Sequence, residues 1–79
     1  MEHYVVILDW ATNDEESTDI LGVFHTFEDA KREFDKHIDY ERQLAEEKGY
    51  VIDECDSHFE AYADGYYSAE HTALYIQGV

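Results

Sequence analysis

Residues 27–48 constrain this chain more than any other stretch, because they carry the apolar spacing, the end signals and all five basic residues of a single long helix. Phe27, Ala30, Phe34, Ile38, Leu44 and Ala45 recur every three to four residues, which lines one helical face with apolar groups. Thr26 precedes them as an N-cap, with Asp29 three residues on in a variant of the capping box, and Glu28 and Asp29 suit the positive end of the helix dipole. Lys48 falls in the last turn, and Gly49 can take the left-handed conformation that ends a helix. Pairs at i,i+4, Glu28–Arg32 and Lys31–Asp35, give the cations a local use. One helix cannot bury its own apolar face, so the rest of the chain must supply the other half of a core.

The rest reads as strands. Residues 4–10 are β-branched and aromatic with both alternating faces largely apolar, as in a central strand. Residues 11–19 hold turn formers and four acids and predict an exposed loop, and 20–25 resume strand character, so 4–10 and 20–25 form a long-looped hairpin. Gly22 interrupts the second strand and marks a bulge or a close approach. Strands follow at 50–55, 59–63 and 72–77, with Asp64-Gly65 as a turn. The order ββαβββ, without proline, repeat or linker, predicts one domain over 1–79 of the α+β class. Its antiparallel sheet of four to five strands carries the helix on one face and leaves the other wet.

Charge is segregated along the chain. The 20 acidic and five basic residues give −15 at pH 7; 27–48 holds eight of the acids and all the bases, so −12 lies outside the helix. Self-repulsion of this size destabilises a small compact state, and retaining it points to solubility or to a basic partner. The same sign argues against direct binding to DNA, RNA or anionic lipid. With seven Tyr, four Phe and one Trp the chain is too aromatic for disorder, and its length leaves only a small core. A single cysteine fits a reducing compartment, and neither a signal peptide nor a membrane span is legible, so the cytoplasm is the expected location.

Leu8-Asp9-Trp10, Ile20-Leu-Gly-Val-Phe24, Asp64-Gly-Tyr-Tyr-Ser68, His71-Thr72 and Tyr75-Ile76 together resemble small acidic proteins of Gram-positive bacteria and their phages. The likeness spans most of the chain. It implies a phage or mobile-element setting and no activity.

The residues point to a partner and not to a reaction. Cys55 and His58 have C-x2-H spacing, with His25 and His71 as further ligands in principle. Zinc sites use better-defined paired units, so Cys55 reads as a small core residue, His58 as a surface one, and no metal is expected. Asp14-Glu15-Glu16 and Asp53-Glu54-x-Asp56 lack a calcium-loop pattern. No nucleophile has a positioning motif and no glycine-rich phosphate loop occurs, so neither catalysis nor a cofactor is expected.

What remains is acid and tyrosine. Carboxylates can stand in for phosphates in a basic groove: fifteen charges match about 25 Å of duplex at one per ~1.7 Å, against a diameter near 30 Å for a globule of this length. Glu54 and Asp56 at i,i+2 on a strand would lie about 6.6 Å apart, like successive phosphates. The expected function is therefore inhibition of a basic nucleic-acid-binding protein by nucleic-acid mimicry, as in anti-restriction and anti-CRISPR proteins, by a monomer. Its contact residues would be Asp14, Glu15, Glu16, Asp19, Asp53, Glu54, Asp56, Glu60 and Asp64, with Tyr66 and Tyr67 beside them. The competing readings are an acidic solvated surface with no dedicated partner, and an adaptor that self-associates through its tyrosines or a sheet edge. Among the tyrosines, Tyr62 should face away from Phe59 and Ala61, and some of Tyr62, Tyr66, Tyr67 and Tyr75 should complete the core.

Overall fold

The chain folds, in a computed structural model that describes residues 3–63 and 70–79, into a five-stranded antiparallel sheet with one helix on one face. Its elements are β1 (Tyr4–Ala11), β2 (Glu16–Phe24), α1 (Phe27–Lys48), β3 (Val51–Cys55), β4 (His58–Tyr62) and β5 (His71–Gly78). The spatial order β2-β1-β5-β4-β3 puts the C-terminal strand in the centre and makes β2 and β3 the two edges. Four inter-strand gaps of about 4.8 Å separate those edges by roughly 19 Å, and α1, roughly 33 Å long at 1.5 Å per residue, carries the chain from one to the other. The order ββαβββ and the α+β class are those expected from the pattern of periods.

The helix ends where its sequence signals place them. The Asp29 backbone N–H donates to Thr26 Oγ1 at 3.1 Å, and Gly49 has φ 72°. Gly49 N–H donates to the Glu46 carbonyl at 3.1 Å and Tyr50 N–H to the Ala45 carbonyl at 2.9 Å, the paired bonds of a Schellman motif. A side chain at Gly49 would meet no atom within 4 Å, so the cost of Gly49→Ala is conformational alone. We expect it to lower stability by about 1–2 kcal/mol, read as a drop in thermal midpoint.

The apolar face of α1 seals the core. Ala30, Phe34, Ile38 and Ala45 pack on Val6 of β1, Phe59 and Ala61 of β4 and Leu74 of β5, all at most 7% exposed. Tyr4, Leu8, Leu21, Phe24, Ile52 and Ile76 complete the rim. Val6 pairs with Gly22 but Ile7 pairs with Ile20, so Leu21 is the extra residue of a β-bulge and turns inward beside Gly22. A Cβ at Gly22 would sit 2.6 Å from the Phe24 ring folded back over it, so any larger residue there would have to displace that ring.

Three expectations are corrected. Residues 11–19 are not a loop: the turn spans only 12–15, and Glu16–Asp19 extend β2 along Ala11–Leu8 of β1. Thr12 Oγ1 accepts from the Asp14 and Glu15 N–H groups and closes a local turn, while pairing with β1 holds the polar residues extended, as a partner strand does whatever the intrinsic preference. Arg32 pairs with Asp29, not Glu28, because i,i+3 and i,i+4 residues are equally near on a helix surface. Cys55 is exposed on the edge strand β3 and takes no part in the core. The Asp64-Gly65 turn lies outside the described residues.

Candidate partner-binding surface

Pairing register sorts the side chains onto two faces with different chemistry. Residues of β1 that alternate with Val6 and Leu8 point away from α1: Val5, Ile7, Asp9 and Ala11. Following the register across the sheet gives four rows on this open face. Val23, Val5 and Gln77 form the first, and Ile20, Ile7, Tyr75, His58 and Cys55 the second. Thr18, Asp9, Ala73, Glu60 and Asp53 form the third, and Glu16, Ala11, His71, Tyr62 and Val51 the fourth. Tyr62 thus faces away from Phe59 and Ala61, as alternation predicts.

The helix layer is electrostatically self-contained. Lys31 binds Asp35 at 2.7 Å, Lys36 lies 3.4 Å from Glu33, and Arg32 is joined to Asp29. Arg42 reaches Asp39 at 2.9 Å and grips Glu54 of β3 through Nε and Nη2 at 3.1 and 2.5 Å. Lys48 stands 5.5 Å from the Tyr50 ring centroid. Every cation is therefore spent on the helix side of the molecule. The open face carries Asp9, Glu16, Asp53 and Glu60 and, among the described residues, no lysine or arginine and no ion pair to one. Asp9 accepts a hydrogen bond from Thr18 Oγ1 at 2.7 Å, and Glu60 lies 3.4 Å from His58 Nε2, whose ring stacks on Tyr75 at 5.7 Å.

The expected contact residues divide accordingly. Glu16, Asp53 and Glu60 share the open face. Asp14 and Glu15 lie in the β1–β2 turn at its end. Asp19 pairs with Leu8 and points to the helix side, and Glu54 is tied to Arg42. β3 stops at Cys55 because Asp56-Ser57 form the turn into β4, so Glu54 and Asp56 are not a phosphate-like pair on one strand face. The first-loop acids and the β3 acids also lie at opposite edges of the sheet, not in one patch. Asp64, Tyr66 and Tyr67 lie outside the described residues. Asp9 was not among the expected residues, although its parity with Val5 and Ile7 is readable once the strand's buried face is known.

Asp53 and Glu60 are directly opposite in the β3–β4 register, so two like charges face each other at about 5 Å between Cβ atoms. That placement costs stability and contributes nothing to the core. Asp53→Asn should raise stability by about 0.2–1 kcal/mol at low ionic strength, with the gain shrinking at 0.5 M salt, as a denaturant series would record.

Two concavities flank these acids. A groove of about 500 Å³ between α1 and β3 is lined by Phe34, Ile38 and the Lys31–Asp35 and Arg42–Glu54 pairs, so its charges are largely matched. One of about 400 Å³ at the β1–β2 end is lined by Asp9, Glu16, Thr18 and His71 and is acidic. The Arg42 guanidinium, hydrogen-bonded to Glu54, holds that carboxyl below its ordinary value. A carboxyl depressed in the folded state stabilises above its unfolded value, near 4.5, and that contribution is lost as pH falls below it. Between pH 5 and pH 3 the wild type should therefore lose more thermal stability than Arg42→Met, so their melting curves converge on acidification.

Among the described residues, no group of three or more His, Cys, Asp or Glu is placed to hold a metal ion, and no helix is long and apolar enough to cross a membrane. Compared with family models, curated proteins and solved structures, the chain matches none.

Proposed function

We propose that this protein is a non-enzymatic, cytoplasmic binding module that occupies the basic surface of a nucleic-acid-binding protein and so blocks its access to nucleic acid. The observation that carries this reading is the separation of charge by layer. All five lysine and arginine residues are held on or beside α1, while the uncovered sheet face presents, among the described residues, four carboxylates with no lysine or arginine to neutralise them, Glu60 meeting the His58 ring at 3.4 Å. An uncovered face of one sign repels nucleic acid and attracts a protein surface of the opposite sign. The competition is by occupation and not by copying phosphate spacing. Spread over the 40 Å long axis, fifteen net charges amount to about 2.7 Å per charge, sparser than the ~1.7 Å of duplex DNA.

The test is capture from a bacterial lysate at low salt on immobilised wild-type protein, with an unrelated protein of equal charge and an open-face charge-reversal variant as controls. A nucleic-acid-binding protein held only by the wild type, and released by competing duplex DNA, is the expected result. Capture of the same mixture of basic proteins by all three baits would reduce the acidity to general surface charge. The adaptor reading draws on the β2 edge, where Ile20 and Val23 are each 58% exposed. Salt-resistant growth in size with concentration would favour it over the module proposed here.

A further inference from the structure

The open face is not uniformly acidic, and its division specifies the kind of segment that fits it. Its first two rows are apolar over β2 and β1 and at Tyr75 of β5: Val5, Ile7, Ile20, Val23 and Tyr75 form a continuous patch, bordered by Gln77 and His58. Ile7 is only 8% exposed although nothing of α1 covers it, so its neighbours on this face already pack around it. The third and fourth rows carry Asp9, Glu60, Asp53 and Glu16. Apolar half and acidic half follow one another along the strands.

We propose that the open face is the seat of one amphipathic basic helix of the partner, lying along β1 and β5 with an apolar end on Ile7, Ile20 and Tyr75 and a lysine- or arginine-bearing end on Asp9, Glu16 and Glu60. The inference rests on the function proposed above and gives its binding mode. The apolar side chains come from three strands in one row, so the segment that covers them lies on the face and does not add to an edge. Four rows at about 6.8 Å per two residues span roughly 20 Å, the length of a 13- or 14-residue helix, and a helix about 10 Å across covers two neighbouring strands. Charge complementarity selects a basic occupant. A second copy laid fully on this face would set acid rows on acid rows or on apolar ones and leave the carboxylates unmatched.

The experiment is an amide NMR titration of the isotope-labelled protein at 50 and 500 mM salt with three synthetic probes. One is a 14-residue helical peptide with leucines at one end and lysines at the other on the same face; the second scrambles that composition around the helix; the third is oligolysine of equal charge. The segregated peptide should shift amides of both halves and bind at least about tenfold tighter than either control, retaining part of its affinity at 500 mM salt. Ile20→Ser, a change at an exposed position, should bring it down to the oligolysine level. Equal binding by oligolysine would overturn the helix seat and leave the acidic module standing. Failure of every probe to shift the open face would overturn both. Concentration-dependent shifts of the apolar half without peptide would assign that half to a second copy and overturn the proposal.

Discussion

Phe34→Ala should lower the stability of this protein by about 3–5 kcal/mol. Phe34 is 2% exposed at the middle of α1, in the cluster with Val6, Phe59 and Leu74 that joins the helix to three strands. Truncating a buried phenylalanine removes its transfer free energy and leaves a cavity, together about 3–5 kcal/mol. A domain of this length has roughly 4–12 kcal/mol in all, and here the net charge of −15 opposes compaction. The loss therefore takes a large share of the margin and should lower the thermal midpoint by more than about 12 °C by circular dichroism. Phe27→Ala is the comparison: Phe27 is 43% exposed and touches the Tyr4 ring edge-on at 5.9 Å, so its truncation should cost far less. Equal melting of the two variants would mean that α1 does not dock through Phe34.

The sequence set both phenylalanines on one apolar helix face, so the contrast between them appears only in the fold, and it shows where reading stops. The helix was fully specified because its signals are local: Thr26, Asp29, Lys48 and Gly49 act within one turn, and Phe34 and Ile38 define a face by period alone. The order of elements followed from changes of period. β2 was truncated because Glu16-Ser-Thr-Asp19 has little apolar content, and only pairing with Ala11–Leu8 makes it a strand. The candidate surface was the least legible part. Carboxylate identity was visible, but which face each occupies depends on register across five strands and on where β3 gives way to the Asp56-Ser57 turn. Glu54 and Asp19 were lost to the helix side for that reason, and Asp9 was gained.

Reversing Asp9, Glu16, Asp53 and Glu60 together to lysine should abolish binding to basic ligands while the protein stays folded. These four lie on exposed or half-buried open-face positions; none is paired with a lysine or arginine, and Glu60 meets the part-exposed His58 ring at 3.4 Å, so no buried charge is orphaned by the change. A carboxylate–ammonium contact at an exposed surface is worth up to about 1 kcal/mol. Four of them sum to about 4 kcal/mol, close to a 10³-fold loss of affinity, before the repulsion introduced by the new lysines. Net charge alone would also weaken attraction, which a second variant isolates by reversing Glu28, Asp39, Glu46 and Glu47 on the outward side of α1. Both variants shift the charge equally, so any purely long-range effect is shared between them. Calorimetry with octalysine and with the captured partner should show the helix variant within about tenfold of wild type and the open-face variant without measurable heat. Equal losses from both would mean that only the total charge is recognised. The layering of cations onto α1 would then serve the helix's own ion pairs, leaving the apolar rows of the open face as the sole candidate for specific contact.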